Sequence, residues 1–200
     1  MEAFLSASLL LLMLLQGLSN VGAYPNGAPT GACEDMTPRH GVPAQPSPSP
    51  YKLVTNSRVF QPGKAITVTI SGPEYRGVLL EARSGNSFFA LGTWKNPPPD
   101  TKFLQCTDNP YGAITHANTN VKGNTTVYSW TPPDITTPVY FVATVAQQRT
   151  VFWVNVRSNV MTRSKGKDDI SLATDASVGS ADGKHMFGLL TCLLMLLVLH

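Results

Sequence analysis

The sequence lacks the features of helical proteins and the short motifs of common enzymes. No apolar pattern with a period of 3.6 residues is long enough for a helix, and there is no long stretch of Ala, Glu, Lys and Leu. Gly-x-Ser-x-Gly, His-Glu-x-x-His, phosphate-loop and dinucleotide glycine patterns are all missing. These absences exclude the common hydrolase and nucleotide-binding classes, and we expect a protein that is not an enzyme and uses no cofactor.

The chain also lacks a strong charge of either sign. Charged residues make up 14% of the sequence and the formal net charge is +3. Without Glu2, Asp182 and Lys184, which lie in segments that we expect to be removed, 14 basic and 10 acidic residues remain. This surplus does not indicate a nucleic-acid partner, but it is compatible with an anionic glycan or a microbial surface.

The most regular pattern lies between Ala65 and Arg83. Ile66, Val68 and Ile70 alternate with hydroxyl residues, which predicts a strand with one buried face. After Ser-Gly-Pro, the run from Tyr75 to Arg83 is more continuously apolar, as in a strand covered on both faces. We expect the two strands to form a hairpin at the centre of the fold.

Short strands separated by Gly, Pro and Asn recur along the rest of the chain, which is typical of an all-β sandwich or barrel. The eight predicted strands are Tyr51 to Thr55, Ala65 to Ser71, Arg76 to Arg83, Phe88 to Trp94, Ala113 to Ala117, Thr125 to Thr131, Val139 to Ala146 and Val151 to Arg157. The last two should form a hairpin, and Trp130, Phe141 and Trp153 should lie in the core. Trp94 and Lys95 precede Asn-Pro-Pro-Pro, so we predict an exposed loop in which both residues could contact a ligand; the alternative for Trp94 is a ring that caps the sandwich edge.

Both ends of the chain resemble targeting segments. Residues 1–23 have an apolar centre and end in Val-Gly-Ala, which predicts a signal peptide cleaved before Tyr24. The apolar tail from Met186 to Leu199 is too short for a conventional membrane span, and small residues and a polar spacer precede it. Residues 178–200 are therefore predicted to be a GPI-attachment signal or membrane tail, with the lipid anchor at or near Ser177 and residues 159–177 as a polar stalk. The expected location is the extracellular face of the plasma membrane, or secretion.

Two cysteines remain in the predicted mature chain, Cys33 and Cys106, and an oxidising compartment favours a disulfide between them. Free thiols or an intermolecular bond are the alternatives. Cys33 should fix a Pro-rich segment, residues 24–50, which we expect to lie along the domain. Asn124-Thr-Thr is an N-glycosylation sequon in a predicted turn.

Two histidines, His40 and His116, could approach each other if the disulfide forms. Two ligands without a well-placed third make a poor metal site, and we expect hydrogen-bonded structural histidines and no bound metal.

Several motifs in one order resemble the reeler (reelin-type) domain over Tyr24 to Ser158. They are Tyr24 to Pro29, Ala32-Cys33, Met36 to His40, Tyr75 to Arg83, Ile114 to His116 and Phe152 to Val154. The resemblance implies an immunoglobulin-like antiparallel β-sandwich with one disulfide, and it supports the pairing of Cys33 with Cys106. The size and single-domain layout are closest to the small insect defence proteins.

The favoured function is therefore a non-enzymatic recognition module at the cell surface, with a role in innate defence implied by the resemblance. One alternative is a cell or matrix adhesion protein of the reelin and spondin kind, and another is a metal-binding or redox protein. The oligomeric state is left open.

Overall fold

The computed structural model describes residues 24–165, which form a β-sandwich with a short 3-10 helix at Thr30–Ala32. The eleven strands are β1 (Lys52–Thr55), β2 (Val59–Phe60), β3 (Ile66–Ser71), β4 (Gly77–Arg83), β5 (Thr93–Lys95), β6 (Thr101–Cys106), β7 (Asn109–His116), β8 (Val127–Thr131), β9 (Tyr140–Gln148), β10 (Val151–Arg157) and β11 (Thr162–Arg163). No α-helix occurs in this part of the chain.

Two antiparallel sheets form the sandwich. One has four strands in the order β1-β3-β8-β5, and the other has five in the order β10-β9-β4-β7-β6. The short strands β11 and β2 pair in parallel beside them. The all-β antiparallel sandwich with one disulfide is thus confirmed, with eleven strands in the described residues where about eight were predicted.

The predicted hairpin of β3 and β4 is wrong, whereas that of β9 and β10 is confirmed. β3 pairs with β1 and β8, while β4 pairs with β7 and β9 in the opposite sheet. The Ser-Gly-Pro break between them is the point where the chain crosses from one sheet to the other. β10 pairs with β9 through residues from Val151 to Arg157.

Some strand positions also differ from the prediction. Of the expected strand from Phe88 to Trp94, only the end is strand; Phe88 and Phe89 are 56% and 65% exposed in the preceding loop. β6 was missed because it lies at the edge of its sheet, where its mostly half-exposed side chains leave no clear alternation.

The main core lies between the two sheets. The alternating residues of β3, Ile66, Val68 and Ile70, are at most 4% exposed, as are Val78 and Leu80 of β4. Trp130 and Phe141 are fully buried with ring centroids 5.2 Å apart. Trp153 is half-buried at the margin, where its indole N–H donates to the Ser47 carbonyl at 3.1 Å.

A second, smaller core covers the outer face of the five-stranded sheet. Here Ala32, Cys33 and Met36 of the segment before the first strand pack on Leu79 and Val142 of the sheet. β4 is therefore covered on both faces, as its nearly continuous apolar sequence predicted. The Pro-rich segment lies along the domain as expected, but it also supplies core residues, since Met36 is fully buried.

The ordered domain extends past the predicted start of the stalk at residue 159. Met161 is fully buried, its amide and carbonyl both bond to the backbone of Val139, and β11 follows. The folded part therefore includes Arg163.

The predicted signal peptide (1–23), the stalk from residue 166 to the predicted anchor position Ser177, and the tail (178–200) lie outside the described residues. Within the described residues, no helix has the length and apolar character needed to cross a membrane.

Candidate functional site

The N-terminal segment, residues 24–40, lies across the outer face of the five-stranded sheet and is fixed there at several points. Its central link is the disulfide from Cys33 to Cys106 at the end of β6, with Cα atoms 5.6 Å apart. The amide of Ala28 donates to the Thr115 hydroxyl at 2.8 Å. The disulfide closes a loop of 73 residues, which corresponds to about 4 kcal/mol of stabilisation through loss of unfolded-state entropy.

Close approach of the N-terminal segment to β7 requires a glycine at position 27. Gly27 has a φ of +115°, and a Cβ there would lie 2.8 Å from the His116 carbonyl oxygen and 2.9 Å from the Thr115 methyl. Any other residue would combine backbone strain with a clash. Further along the segment, the Thr144 hydroxyl of β9 donates to the Met36 carbonyl.

Between the N-terminal segment and the sheet is a cavity of about 150 Å³ that opens to solvent on one side. Its walls are mostly apolar, and polar side chains lie among them at the positions of Tyr24, His40, Arg76, His116, Thr119, Thr144, Gln148 and Arg149. The apolar walls are formed by Pro25, Ala28, Pro29, Ala32, Met36 and Pro38 above and by Gly77, Val78, Leu79 and Ala146 below. We regard this cavity and its margin as the candidate functional site.

Both nitrogens of His116 are engaged in hydrogen bonds at one side of the cavity. Nε2 donates to the Tyr24 carbonyl at 2.7 Å, and Nδ1 accepts from the Val78 amide at 3.3 Å. Burial lowers the pKa of His116, although the nearby backbone carbonyls of Tyr24 and Val78, which favour a protonated ring, act in the opposite direction. A neutral imidazole that joins the N-terminal segment to the sheet fits this geometry.

His40 lies at the other end of the N-terminal segment and also lines the cavity. Its Nδ1 donates to the Arg149 carbonyl at 2.8 Å, and its ring meets Phe152 edge-on with centroids 5.4 Å apart. The prediction that the disulfide would draw the surroundings of His40 and His116 together is thus correct, and each ring has a structural hydrogen bond. The one compact group of three potential ligand atoms among residues 24–165 is elsewhere, at Cys33, Cys106 and Glu81, and its two sulfurs are in the disulfide.

Besides Arg39, which pairs with Asp35 at 3.2 Å within the N-terminal segment, three exposed cations lie around this segment. Arg76 and Arg149 line the margin of the cavity, and the side chain of Lys102 packs beside Gly27. Arg76 donates from Nη1 to the Thr119 carbonyl at 2.9 Å, which holds its guanidinium at the margin. We call Arg76, Lys102 and Arg149 the cationic margin.

Lys122 is also close to this end of the domain but serves a structural role. Its ammonium donates to the carbonyls of Arg76, Asn118 and Asn120 at 2.9 to 3.2 Å, and the residue is 3% exposed. Burial lowers the pKa of Lys122, while the nearby Asp100 acts in the opposite direction. Its charge is thus held among backbone carbonyls and is not presented to a partner.

A buried ion pair lies beneath the disulfide. Glu81 and Arg83 face the second core from β4, and Arg83 Nε donates to Glu81 Oε2 at 2.9 Å while its Nη2 donates to the Cys33 carbonyl. The other Glu81 carboxylate oxygen, Oε1, has no hydrogen-bond partner. Burial raises the pKa of Glu81 to about 7, because the loss of hydration outweighs the attraction of Arg83.

The prediction of Trp94 as an exposed contact residue is wrong. Trp94 lies in β5, is fully buried, donates from its indole N–H to the Gly112 carbonyl at 3.1 Å and packs against Phe141. The alternation of a strand places Trp94 inward and Lys95 outward, and the proline-rich loop starts only after them. Lys95 remains exposed and available for contact.

Asn124 is exposed in a turn that precedes β8, where the Thr126 amide donates to the Gly123 carbonyl at 2.9 Å. This position is accessible to a glycosyltransferase, and its glycosylation stays a prediction.

The family model for the reeler domain matches residues 31–169. The chain belongs to the reeler domain family. This match begins at residue 31 within the N-terminal segment and includes both disulfide cysteines and both sheets.

Two relatives named putative defense proteins match most of this chain and most of their own length. The chain is 36% identical to the putative defense protein Hdd11 of Hyphantria cunea, over 70% of this chain and 89% of that protein. It is 38% identical to putative defense protein 3 of Antheraea mylitta, over 74% and 92% of the two chains. Ferric-chelate reductase 1 of Mus musculus is 32% identical, but the match covers only 27% of that protein.

Solved structures agree on the fold. The crystal structure of the human F-spondin reeler domain (fragment 1) matches with a TM-score of 0.50 at 19% identity, covering 62% of this chain and 94% of that one. The likeness supports the sandwich architecture.

Sequence reasoning missed the cavity and the buried ion pair. The ion pair had a signal, since two opposite charges two residues apart in a strand covered on both faces must share a buried face. The cavity had none, because its walls come from distant parts of the sequence.

Proposed function

We propose that this reeler domain is a non-enzymatic recognition module of innate defence that binds anionic molecules of microbial surfaces through the cationic margin. The observation that carries the proposal is the grouping of Arg76, Lys102 and Arg149 around the disulfide-linked N-terminal segment. The relatives from Hyphantria cunea and Antheraea mylitta are named putative defense proteins, and the chain spans about nine tenths of their length.

The chemistry of the margin favours an extended polyanion. Exposed Arg and Lys side chains contribute little individually, but several of them fixed around one rigid surface give salt-dependent binding to sulfate or phosphate groups. Arg76 is held by Thr119, so less side-chain entropy is lost when it binds.

A pair of matched triple variants tests this proposal. Arg76→Gln, Lys102→Gln and Arg149→Gln remove three positive charges from the margin, whereas Lys52→Gln, Lys64→Gln and Lys95→Gln remove three exposed charges elsewhere. Heparin and lipopolysaccharide binding is measured across a salt series. We expect the first triple to elute from heparin at clearly lower salt than the wild type, and the second to behave almost as the wild type.

Equal losses in both triples would show that net charge alone determines binding, and no binding at low salt would refute the polyanion proposal. If instead only the second triple variant loses binding, the contact surface includes one or more of Lys52, Lys64 and Lys95, and the cationic margin is not the binding site.

We also propose that the domain is tethered to the outer cell surface by a GPI anchor at or near Ser177. Support comes from the sequence alone: small residues, a polar spacer and an apolar tail. Treatment of expressing cells with phosphatidylinositol-specific phospholipase C should release the protein into the medium. Retention on the cells would contradict the anchor, and complete secretion without treatment would show that the protein is not tethered.

A further inference from the structure

The cavity beneath the N-terminal segment has walls that do not suit a sugar. Pro25, Pro29 and Pro38 have no backbone N–H and present only carbon atoms apart from their carbonyls. Val78, Leu79 and Ala146 complete the apolar floor. A hydroxyl-rich ligand would lose its hydration over these carbon surfaces, and Thr144, His116 and His40 among the walls already hydrogen-bond within the protein. The walls therefore favour an apolar group.

The cavity cannot close by collapse of its upper wall. The N-terminal segment is fixed to the sheet at both of its ends and in the middle. Tyr24 bonds to His116, Cys33 and Met36 are linked to Cys106 and Thr144, and His40 bonds to the backbone of Arg149. Prolines also restrict its backbone. A preformed apolar space of this kind is unusual in a small domain, whose interior is otherwise closely packed.

The size of the cavity limits the ligand. At about 150 Å³ it resembles an engineered cavity that holds benzene, so it accommodates an apolar group of roughly six carbon atoms. Because one side opens to solvent, a slightly longer chain can extend outward.

The open side carries positive charge. Arg76 and Arg149 both line the cavity, and the guanidinium of Arg76 is oriented by its bond to Thr119. A planar guanidinium is well suited to a carboxylate, which it can meet with two hydrogen bonds. An apolar space with cations at its mouth matches a molecule that has an apolar tail and an anionic head.

We propose that the cavity is a binding site for a medium-chain alkyl carboxylate, with the alkyl chain between Met36 and Ala146 and the carboxylate at Arg76. This site is distinct from polyanion binding at the exposed margin and does not depend on it, since the apolar walls of the cavity contribute nothing to a glycan. Arg76 is shared by both proposals, whereas Met36 and Ala146 belong to the cavity alone.

The probe is octanoate, with acetate and octanol as the two partial ligands. In a protein labelled at its methionine and alanine methyl groups, octanoate should shift the Met36 and Ala146 signals with a dissociation constant of roughly 1 mM or tighter. Octanoate chain protons should give intermolecular NOEs to the Met36 methyl. Acetate at the same concentration should shift neither signal, because it lacks the chain.

Two variants distinguish the contribution of the octanoate chain to binding from that of its carboxylate. Ala146→Leu fills the cavity and should weaken octanoate binding at least about tenfold, while Ala65→Leu, an exposed position next to the other sheet, should leave it unchanged. Arg76→Gln should weaken octanoate by up to about fivefold and change octanol binding less than twofold.

Absence of NOEs to Met36 in the wild-type protein overturns the proposal, and this readout does not depend on the folding of any variant. Undiminished octanoate affinity in a folded Ala146→Leu protein, or shifts from acetate equal to those from octanoate, also overturns it. If the triple variant of the cationic margin loses heparin binding but still binds octanol, the polyanion site is lost while the cavity site is retained.

Discussion

Glu81 should make the stability of this domain fall as the pH rises from 5 to 8.5. The carboxyl is fully buried beside Arg83, one of its oxygens has no partner, and its pKa is raised from 4.5 to about 7. The folded protein therefore holds this proton more tightly than the unfolded chain. The stabilisation is complete below pH 4.5, falls through the window from 4.5 to 7 and is absent above it.

A shift of this size corresponds to roughly 3 kcal/mol over the full window, at 1.36 kcal/mol per pKa unit. Between pH 5 and 8.5 the expected loss is about 2 to 3 kcal/mol, a large part of the stability of a domain of this size. Glu81→Gln resembles the protonated side chain and should remove this dependence.

The assay is denaturant unfolding of the wild type and Glu81→Gln at several pH values between 5 and 8.5. The variant should be close to the wild type at pH 5 and more stable than it at pH 8.5, so the difference isolates Glu81 from all other titrating groups. Glu74→Gln, at an exposed position, controls for the loss of one carboxylate. A difference between wild type and Glu81→Gln that is constant or reversed in sign across this range would refute the reasoning and show that the attraction of Arg83 outweighs the loss of hydration.

Three further predictions concern stability and processing. Trp94→Ala should destabilise the domain by about 3 to 5 kcal/mol in denaturant unfolding, because it leaves a large cavity and an unpaired Gly112 carbonyl. Lys95→Ala, the control, should change the free energy of unfolding by less than about 0.5 kcal/mol. Similar effects of the two substitutions would contradict the inward position of Trp94. Replacing Cys33 and Cys106 together by Ala should cost about 2 to 5 kcal/mol, and an unchanged denaturation midpoint would show that the hydrogen bonds alone fix the N-terminal segment. Asn124→Gln should remove a shift in gel mobility that peptide N-glycosidase F also removes, and a mobility equal to that of the wild type would show that the sequon is unused.

The fold could be predicted largely because single strands leave local patterns. The alternation in β3 and the apolar runs of β9 and β10 come from side chains that point to opposite faces, and this information lies within a few residues. The pairing between strands, by contrast, is not encoded within a few residues. The break between β3 and β4 shows that the chain turns, but whether it turns back in the same sheet or crosses to the other depends on packing far along the sequence.

The candidate site was only partly predictable for the same reason. The disulfide partners followed from a count of cysteines, and with them the proximity of His40 and His116. Trp94 was misplaced because the polar Pro-rich sequence starts directly after Lys95 and conceals a three-residue strand. The cavity depends on the spacing between the N-terminal segment and the strands β4 and β9. No residue pattern within the segment or within either strand encodes that spacing.

The position of the N-terminal segment also has a consequence for biosynthesis. This segment leaves the ribosome before every strand on which it packs, yet Met36 bonds to Thr144, which is 108 residues further along the chain. The segment cannot reach its native position on the sheet until β9 has been synthesised. Cys33 therefore enters the oxidising compartment well before Cys106 and the strands that surround it in the folded domain. A nascent chain arrested between Cys106 and β9 would already contain both cysteines but would lack a central strand of the sheet beneath them. Oxidation at that stage would close the covalent loop before the second core can form.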